Sequence, residues 1–362
     1  MREIIKHQQA LVETNFEHQH AKELEKISEL LDESKKIMEL VHADLIAGRK
    51  KPKIGRNGVS AELAIRLLII KQMNNFSYEQ LAFHLADSRT YRNFCRIGFA
   101  DCPPKKSALQ RAIKKLKPTT LESINIILIK IAVEKGIEKG RKVRIDCTET
   151  ETNIHKPYDS SLLYDCVRVL SRIMMKAKDK LDVNGFNFID HTKRAKRRRM
   201  GILNTRSEKK RETEFGHKIA LTSGVSGLIT DLKIEKGNPS DTSLAVKMVE
   251  RQEDVFNRLP RQVAMDGGFA SKDNVKEIKE LGVKDVMFSR KRGIKIIDMV
   301  KSTWVYKRLR DFRAGIEGMI SFLKRCFSLD RCNLSGFESF KSFAWSSVIS
   351  ANLLMIARHL LN

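Results

Sequence analysis

Three carboxylates stand out in a strongly basic chain. Asp146 closes the short apolar run Val143-Arg144-Ile145, at the start of a stretch reading "RIDCTETETNIH" from Arg144. Asp266 ends "RQVAM" and is followed by two glycines, which let the backbone turn sharply. Glu317 lies in "RAGIEGMISFLKR", with Arg313 one helical turn before it and Lys324 two turns after it. At 100° per residue, Arg313, Glu317 and Lys324 fall within about 40° of one another on a helix face. If the strands that carry Asp146 and Asp266 are neighbours, their carboxylates meet at one sheet edge. A third acid from a helix would then complete a cage of oxygens. Hard divalent ions such as Mg²⁺ take such a cage, with positions left open for water and phosphate. Arg313 and Lys324 would flank it with charge suited to a phosphodiester backbone. The plainer alternative for Arg313 and Glu317 is an exposed i,i+4 ion pair. Glu149 and Glu151 fall past the expected end of the first strand and read as solvated acids. Asp241, in "GNPSD", is expected to cap the helix that it begins.

The elements that must position these residues follow from periodicity. "KVRIDCT" (142–148) alternates as a strand does. "HKIALTS" (217–223) and "GLITDLKIEK" (227–236) read as a hairpin joined at Gly224–Gly227. A helix over 241–259, a short strand over 261–266, and a helix opened by Ser271 and closed by Gly282 come next. A strand over 283–289 and a long helix over about 308–328 complete the order, which is that of an α/β sheet of mixed direction. Phe312, Ile316, Met319, Leu323 and Phe327 form an apolar stripe that would hold the last helix on the sheet.

A helical insertion at about 156–215 interrupts this pattern. It holds "SSLLYDCVRVLSRIMMKAKDKL" and then the most basic stretch of the chain, "HTKRAKRRRMGILNTRSEKKR", with Arg197, Arg198 and Arg199 at its centre. That stretch has little to bury, so it lies at the surface, and a DNA-backbone contact is favoured over a merely solvated helix.

Upstream the chain reads as all-helical. Residues 1–50 are an amphipathic region, either a hairpin packed on the body or a dimer contact. "KKPKIGRNG" (50–58) is a linker. Residues 51–118 carry short helices with helix-turn-helix character. Ser77 with Gln80, and Ser107 with Gln110, have capping-box spacing. On the last of these helices Gln110, Arg111, Lys114 and Lys115 could face DNA, or form a solvated basic face. The catalytic part would then span 119–337, and 338–362 a C-terminal helix.

Composition points the same way. The 362 residues, 41% of them hydrophobic, can bury more than one core. Sixty-nine Lys and Arg against 44 Asp and Glu, net +25, call for a polyanionic partner, most often nucleic acid. No apolar run reaches the ~18 residues of a membrane span, and the first twenty residues lack a signal-peptide layout. The six cysteines have neither zinc-site nor C-x-x-C spacing and read as thiols in a reducing compartment. No P-loop is present, so ATP is not implied.

Taken together, the order Asp146, Asp266, Glu317 resembles the DDE transposases of bacterial insertion sequences. In particular it resembles the group carrying Y-x₂-R-x₃-E-x₆-K around its glutamate. Arg313, Glu317 and Lys324 fit that pattern, whereas position 310, where the tyrosine would stand, is Arg310. The resemblance extends over about 25–350, including "MDGGFASKDN", "IEGMISFLKRCFSLDRC" and "GRNGVSAELAIRLL". It implies a ribonuclease-H-like catalytic core, with Asp146, Asp266 and Glu317 holding two Mg²⁺ (or Mn²⁺) ions about 4 Å apart. It implies cleavage at the element's inverted ends, strand transfer of the freed 3′-OH into target DNA, and no covalent protein–DNA link. It also implies a dimer or larger assembly on DNA, in the bacterial cytoplasm at the nucleoid. A ribonuclease-H-like endonuclease without strand transfer, or a catalytically silent DNA-binding protein, are the alternatives.

Overall fold

The computed structural model describes residues 17–48, 58–98, 100–152, 159–181, 188–203, 216–290 and 292–361. The linker at 50–58 thus lies, but for Gly58, outside the described residues. The chain divides into two compact units, one formed by Met1–Asn153 with Gly216–Asn362, the other by the insertion Ile154–Phe215.

In the larger unit α1 (Gln19–Glu33), α2 (Lys35–Ile46), α3 (Ala61–Met73), α4 (Tyr78–Asp87), α5 (Arg89–Phe94), α6 (Lys106–Ile113) and α7 (Pro118–Glu134) precede the sheet. Leu24, Ile27, Leu30, Leu31, Ile37, Val41 and Leu45 are all buried in the same core as α3 and α7. The apolar face of residues 19–46 is therefore spent inside the chain. The capping box of α4 forms as its spacing predicts, with Ser77 and Gln80 bonded reciprocally. The second does not. The chain enters α6 at Lys106 after two prolines, so Ser107 sits inside the first turn, and Lys105 is the cap residue.

The sheet follows: β1 (Lys142–Thr152), β2 (Gly216–Ser223), β3 (Ile229–Ile234), β4 (Gln262–Met265), β5 (Asp285–Phe288) and the short β6 (Arg331–Cys332). Between β1 and β2 the chain makes α8 (Asp159–Leu181) and α9 (Thr192–Leu203) of the smaller unit. After β3 come a 3-10 turn (Asp241–Leu244) and α10 (Ala245–Phe256), and after β4 a second 3-10 turn (Gly267–Phe269) and α11 (Lys272–Glu280). Helices α12 (Ile296–Met299) and α13 (Thr303–Cys326) follow β5, and α14 (Phe337–Leu361) ends the chain.

The strand order is β3-β2-β1-β4-β5, with β6 on β1. β1–β2 and β2–β3 are antiparallel, whereas β1–β4 and β4–β5 are parallel. This is the mixed sheet of a ribonuclease-H-like core, preceded by a helical region. β1 is longer than its alternation suggests. It runs through Glu149 and Glu151 to Thr152, because β2 pairs with it as far as Glu151 and β6 continues the edge. Those two acids are strand residues, not residues past its end.

α14 meets the length and composition of a membrane span, a correction to the sequence expectation. Its serines and Asn352 hide the run from a simple count of apolar residues. Most of its length is buried in the unit, where it packs on α7, α1 and α3.

Candidate active site

Strand alternation sorts β1 into two faces. Val143 and Ile145 are buried in the core shared with β4, β5, α10 and α11. Arg144 and Asp146 point to the other face, where α13 lies. Arg144 Nη1 donates to the Phe312 carbonyl at 2.9 Å, and its guanidinium stands 4.8 Å from the Phe312 ring centre. Gly315 makes room for it, since a Cβ there would fall on the Arg144 guanidinium. Arg144 thus pins the middle of α13 to β1, one alternation before Asp146. The apolar stripe does the rest: Ile316, Leu323 and Phe327 are buried, and Phe312 and Met319 are partly so.

The parallel register pairs Ile145 with Met265. The next residues, Asp146 and Asp266, therefore stand opposite each other where β4 ends, on strands about 4.8 Å apart. Asp146 is not at the end of its strand. It is at the end of the parallel pairing, which is the feature that matters. The glycines after Asp266 act differently from the sequence expectation. Neither has positive φ; instead the side chain of Arg290 approaches Gly267, and the Asp241 carboxylate approaches Gly268, too closely for a Cβ.

Arg313 gathers the three acids. Its Nη2 lies 2.9 Å from Asp146 Oδ2 and 3.4 Å from Asp266 Oδ1, and its Nη1 donates to Glu317 Oε1 at 3.0 Å. The i,i+4 pair expected of Arg313 and Glu317 exists, but it is one arm of a larger cluster. Asp146 also accepts from the Cys147 N–H at 2.9 Å. Burial pushes the Asp146 carboxyl above its ordinary range, against the opposing pull of Arg313 and Cys147. Asp266 goes the other way. Burial would raise it, but the Ser289 hydroxyl, the Gly267 N–H and Arg313 outweigh that and hold it low. Ser289 Oγ donates to Asp266 Oδ1 at 2.7 Å and accepts from the Gly267 N–H at 2.9 Å. Sequence reading missed Ser289 and Arg144, because a lone Ser after one strand and a lone Arg within another carry no spacing signal.

A cleft of about 610 Å³ opens beside the cluster, lined by Asp146, Thr148, Glu317, Ser321, Lys324 and Arg325 among others. Lys324 thus shares the cleft with Asp146 and Glu317, as its spacing predicts. Arg310, in the tyrosine's place, is exposed. One turn before it Tyr306 donates to the Phe288 carbonyl at 2.8 Å and so ties α13 to the end of β5. Asp241 is not the cap residue: Ser240 is the cap residue of its turn, and the Asp241 carboxylate instead takes the Lys218 ammonium at 2.9 Å.

The donor set can be tested against a metal ion. Among the described residues no three Asp, Glu, His or Cys side chains stand close enough to share one ion. The guanidinium of Arg313 occupies the point on which Asp146, Asp266 and Glu317 converge, as a stand-in cation. Its single charge faces three carboxylates, and all three offer hard oxygens. In type and charge the set fits a divalent cation.

The residues proposed for DNA contact differ in exposure. Arg111 and Lys114 are exposed on or just after α6, whereas Gln110 is half-buried. Lys115 is spent on the Leu45 carbonyl at 3.0 Å. On α9, Arg197 and Arg198 are exposed, while Arg199 turns inward, donating to Ser161 Oγ at 3.1 Å and stacking over Tyr164.

Comparison with known proteins adds the family. Residues 188–353 match the model of the transposase DDE domain, a stretch that holds Asp266, Arg313, Glu317 and Lys324 and begins after Asp146. Residues 12–115 match a second model, the transposase domain (DUF772). No curated protein matches the chain significantly. Among solved structures, the Mos1 strand transfer complex aligns over 96% of this chain and 98% of that one, at 10% identity and a TM-score of 0.24. Two transposase models covering most of the chain, on a ribonuclease-H-like sheet, make this protein a member of the DDE-type transposases.

Proposed function

We propose that the protein cleaves DNA at the inverted ends of an insertion sequence and transfers the freed 3′-OH into target DNA, with Asp146, Asp266 and Glu317 as its metal-holding acids. The family works in DNA transposition with divalent metal ions; the assignment of these steps and residues is ours. The observation that carries it is the convergence of the three carboxylates on Arg313, beside a cleft lined by Lys324 and Arg325. When bound, two Mg²⁺ (or Mn²⁺) ions would activate the attacking oxygen and stabilise the leaving one in an in-line displacement at phosphorus.

The chain's own groups supply the frame. Asp146 and Asp266 come from adjacent parallel strands and are fixed by the sheet. Ser289 and the Gly267 N–H keep Asp266 ionised and aimed. Arg144 and Tyr306 hold α13, and with it Glu317, against the sheet. Lys324 and Arg325 would take the phosphodiester backbone along the cleft. Water attack would break the P–O3′ bond and leave a 3′-OH and a 5′-phosphate; that hydroxyl would then bond to a target phosphorus, breaking the target's P–O3′ bond and releasing a target 3′-OH. We assign 51–118 to end recognition, with Arg111 and Lys114 on its exposed face, and the basic helix α9 to backbone contact through Arg197 and Arg198.

The test uses full-length protein, the gene's own flanking DNA and a target plasmid, with Mg²⁺ or EDTA. Nicks at matching inverted ends that need the metal, together with joined products, are expected. Nicks without joining would make it an endonuclease. A retarded band with neither would make it a silent DNA-binding protein. Lys324→Ala should weaken binding to all sequences alike and lower the slope of log affinity against log salt by about 1, as loss of one phosphate contact does. A titration at several salt concentrations reads both, and an unchanged slope would remove Lys324 from the DNA path.

A further inference from the structure

Helix α8 of the insertion is built inside out. Among its described side chains, Ser161, 2% exposed, and Ser171, 5% exposed, are the buried ones. Arg199 of α9 bonds Ser161, so α9 lies on the polar face of α8. The opposite face is apolar and open: Leu162, Leu163, Val169, Leu170 and Ile173 are each between 44% and 66% exposed, and Cys166 is exposed among them. A contiguous apolar stripe this size on an exposed helix marks an interaction surface.

The spacing along the stripe says what kind. Leu162, Cys166, Val169 and Ile173 recur at four, three and four residues, the seam of a helix that packs on another helix. The pattern is also complementary to itself in the antiparallel sense. With two α8 helices centred between Val167 and Arg168, Leu162 meets Ile173 of the second copy and Cys166 meets Val169. Leu163 then lies beside Leu170. On the other flank Asp165 lies beside Arg172 of the second copy, and the twofold axis repeats every pair. Asp165 has its own Arg168 at 3.1 Å and would sit between two guanidiniums. A parallel pairing sets Asp165 beside Leu170 and leaves Arg172 without an acid. Charge complementarity and spacing thus select one occupant.

We propose that the exposed face of α8 is a self-association surface, on which a second copy of this chain packs its own α8 antiparallel. The proposal does not depend on the chemistry assigned to the carboxylates. It is a surface separate from α1 and α2, whose apolar faces are buried in the larger unit.

Sedimentation of the full-length chain over a roughly fifty-fold concentration range tests it. The wild type is expected to self-associate. Leu170→Glu should weaken that association by about tenfold or more, since it charges a central apolar contact on both copies. The side chain already stands in solvent, so the variant's thermal unfolding should match the wild type, separating lost association from lost folding. Asp165→Arg and Arg172→Asp should each weaken association roughly twofold to tenfold, the pair occurring twice, and the double variant should recover it. Only an antiparallel copy predicts that recovery. A wild type that stays monomeric throughout, or a Leu170→Glu variant with unaltered association, overturns the proposal. So does loss of binding to anionic vesicles in Leu170→Glu with association unaltered, which would give the face to lipid.

Discussion

Asp266→Asn is expected to lower strand cleavage by about 10²–10³-fold, as removal of a single group that stabilises developing charge does, while leaving binding to the element's ends within a few-fold of wild type. The amide keeps the shape and can still take the Ser289 hydroxyl bond, so the turn after β4 should stand. What it loses is charge. Asp266 is the acid held low by its surroundings, whereas burial pushes Asp146 up. Asp266 is therefore the more firmly ionised of the two, and its neutralisation removes charge that nothing else in the cluster replaces. Band-shift and cleavage assays on the same end fragment separate the effects. Equal loss of binding and cleavage would make Asp266 a structural residue and sink its assignment as a metal-holding acid.

The second large effect is expected at Arg313, and it is one of stability. Arg313→Ala takes the shared cation from three carboxylates. Asp146, whose side chain is 13% exposed, keeps only the Cys147 N–H. Breaking a buried ion pair by removing one partner costs about 3–5 kcal/mol, and here the value should fall near 2–4 because Asp266 and Glu317 reach solvent. The sign with pH follows from Asp146. Its folded carboxyl already binds a proton more readily than in the unfolded chain, and without Arg313 it does so more strongly. Stability then falls as pH rises from the unfolded value through the raised folded one, so the variant's deficit is largest near neutral pH and narrows on acidification. Mg²⁺ should recover more stability in the variant than in the wild type, because an ion that binds only the folded chain stabilises it by mass action and no longer competes with the guanidinium. Urea unfolding at two pH values, with and without Mg²⁺, reads all of this. A deficit indifferent to both would reduce Arg313 to a packing residue.

Much of this site was legible beforehand for a simple reason. Alternation and helical spacing are local, and each of the three candidate acids stands at a local landmark: Asp146 after an apolar run, Asp266 before a glycine pair, Glu317 between Arg313 and Lys324. The same locality explains the errors. β1 runs past the end of its alternation because β2 and β6 lengthen it from outside. Asp241 has the position of a cap, but its partner, Lys218, comes from β2. Ser107 had capping-box spacing but fell inside the first turn, because the prolines before it set where α6 begins.

By itself, the sequence determined the order of strands and helices, where the three candidate acids stand along it, the basic balance and the interruption between the first two strands, all of which follow from residue type and period. Only the tertiary structure decided that Asp146 and Asp266 face each other where the parallel pairing ends, since register is a property of two strands and not of either alone. Only it made Arg313 the hub of the acids, with Arg144 and Ser289 holding the helix and the loop around them. And only packing revealed α8 as reversed, its serines inside and its leucines out, because a period says that a helix has an apolar face but not which way that face is turned.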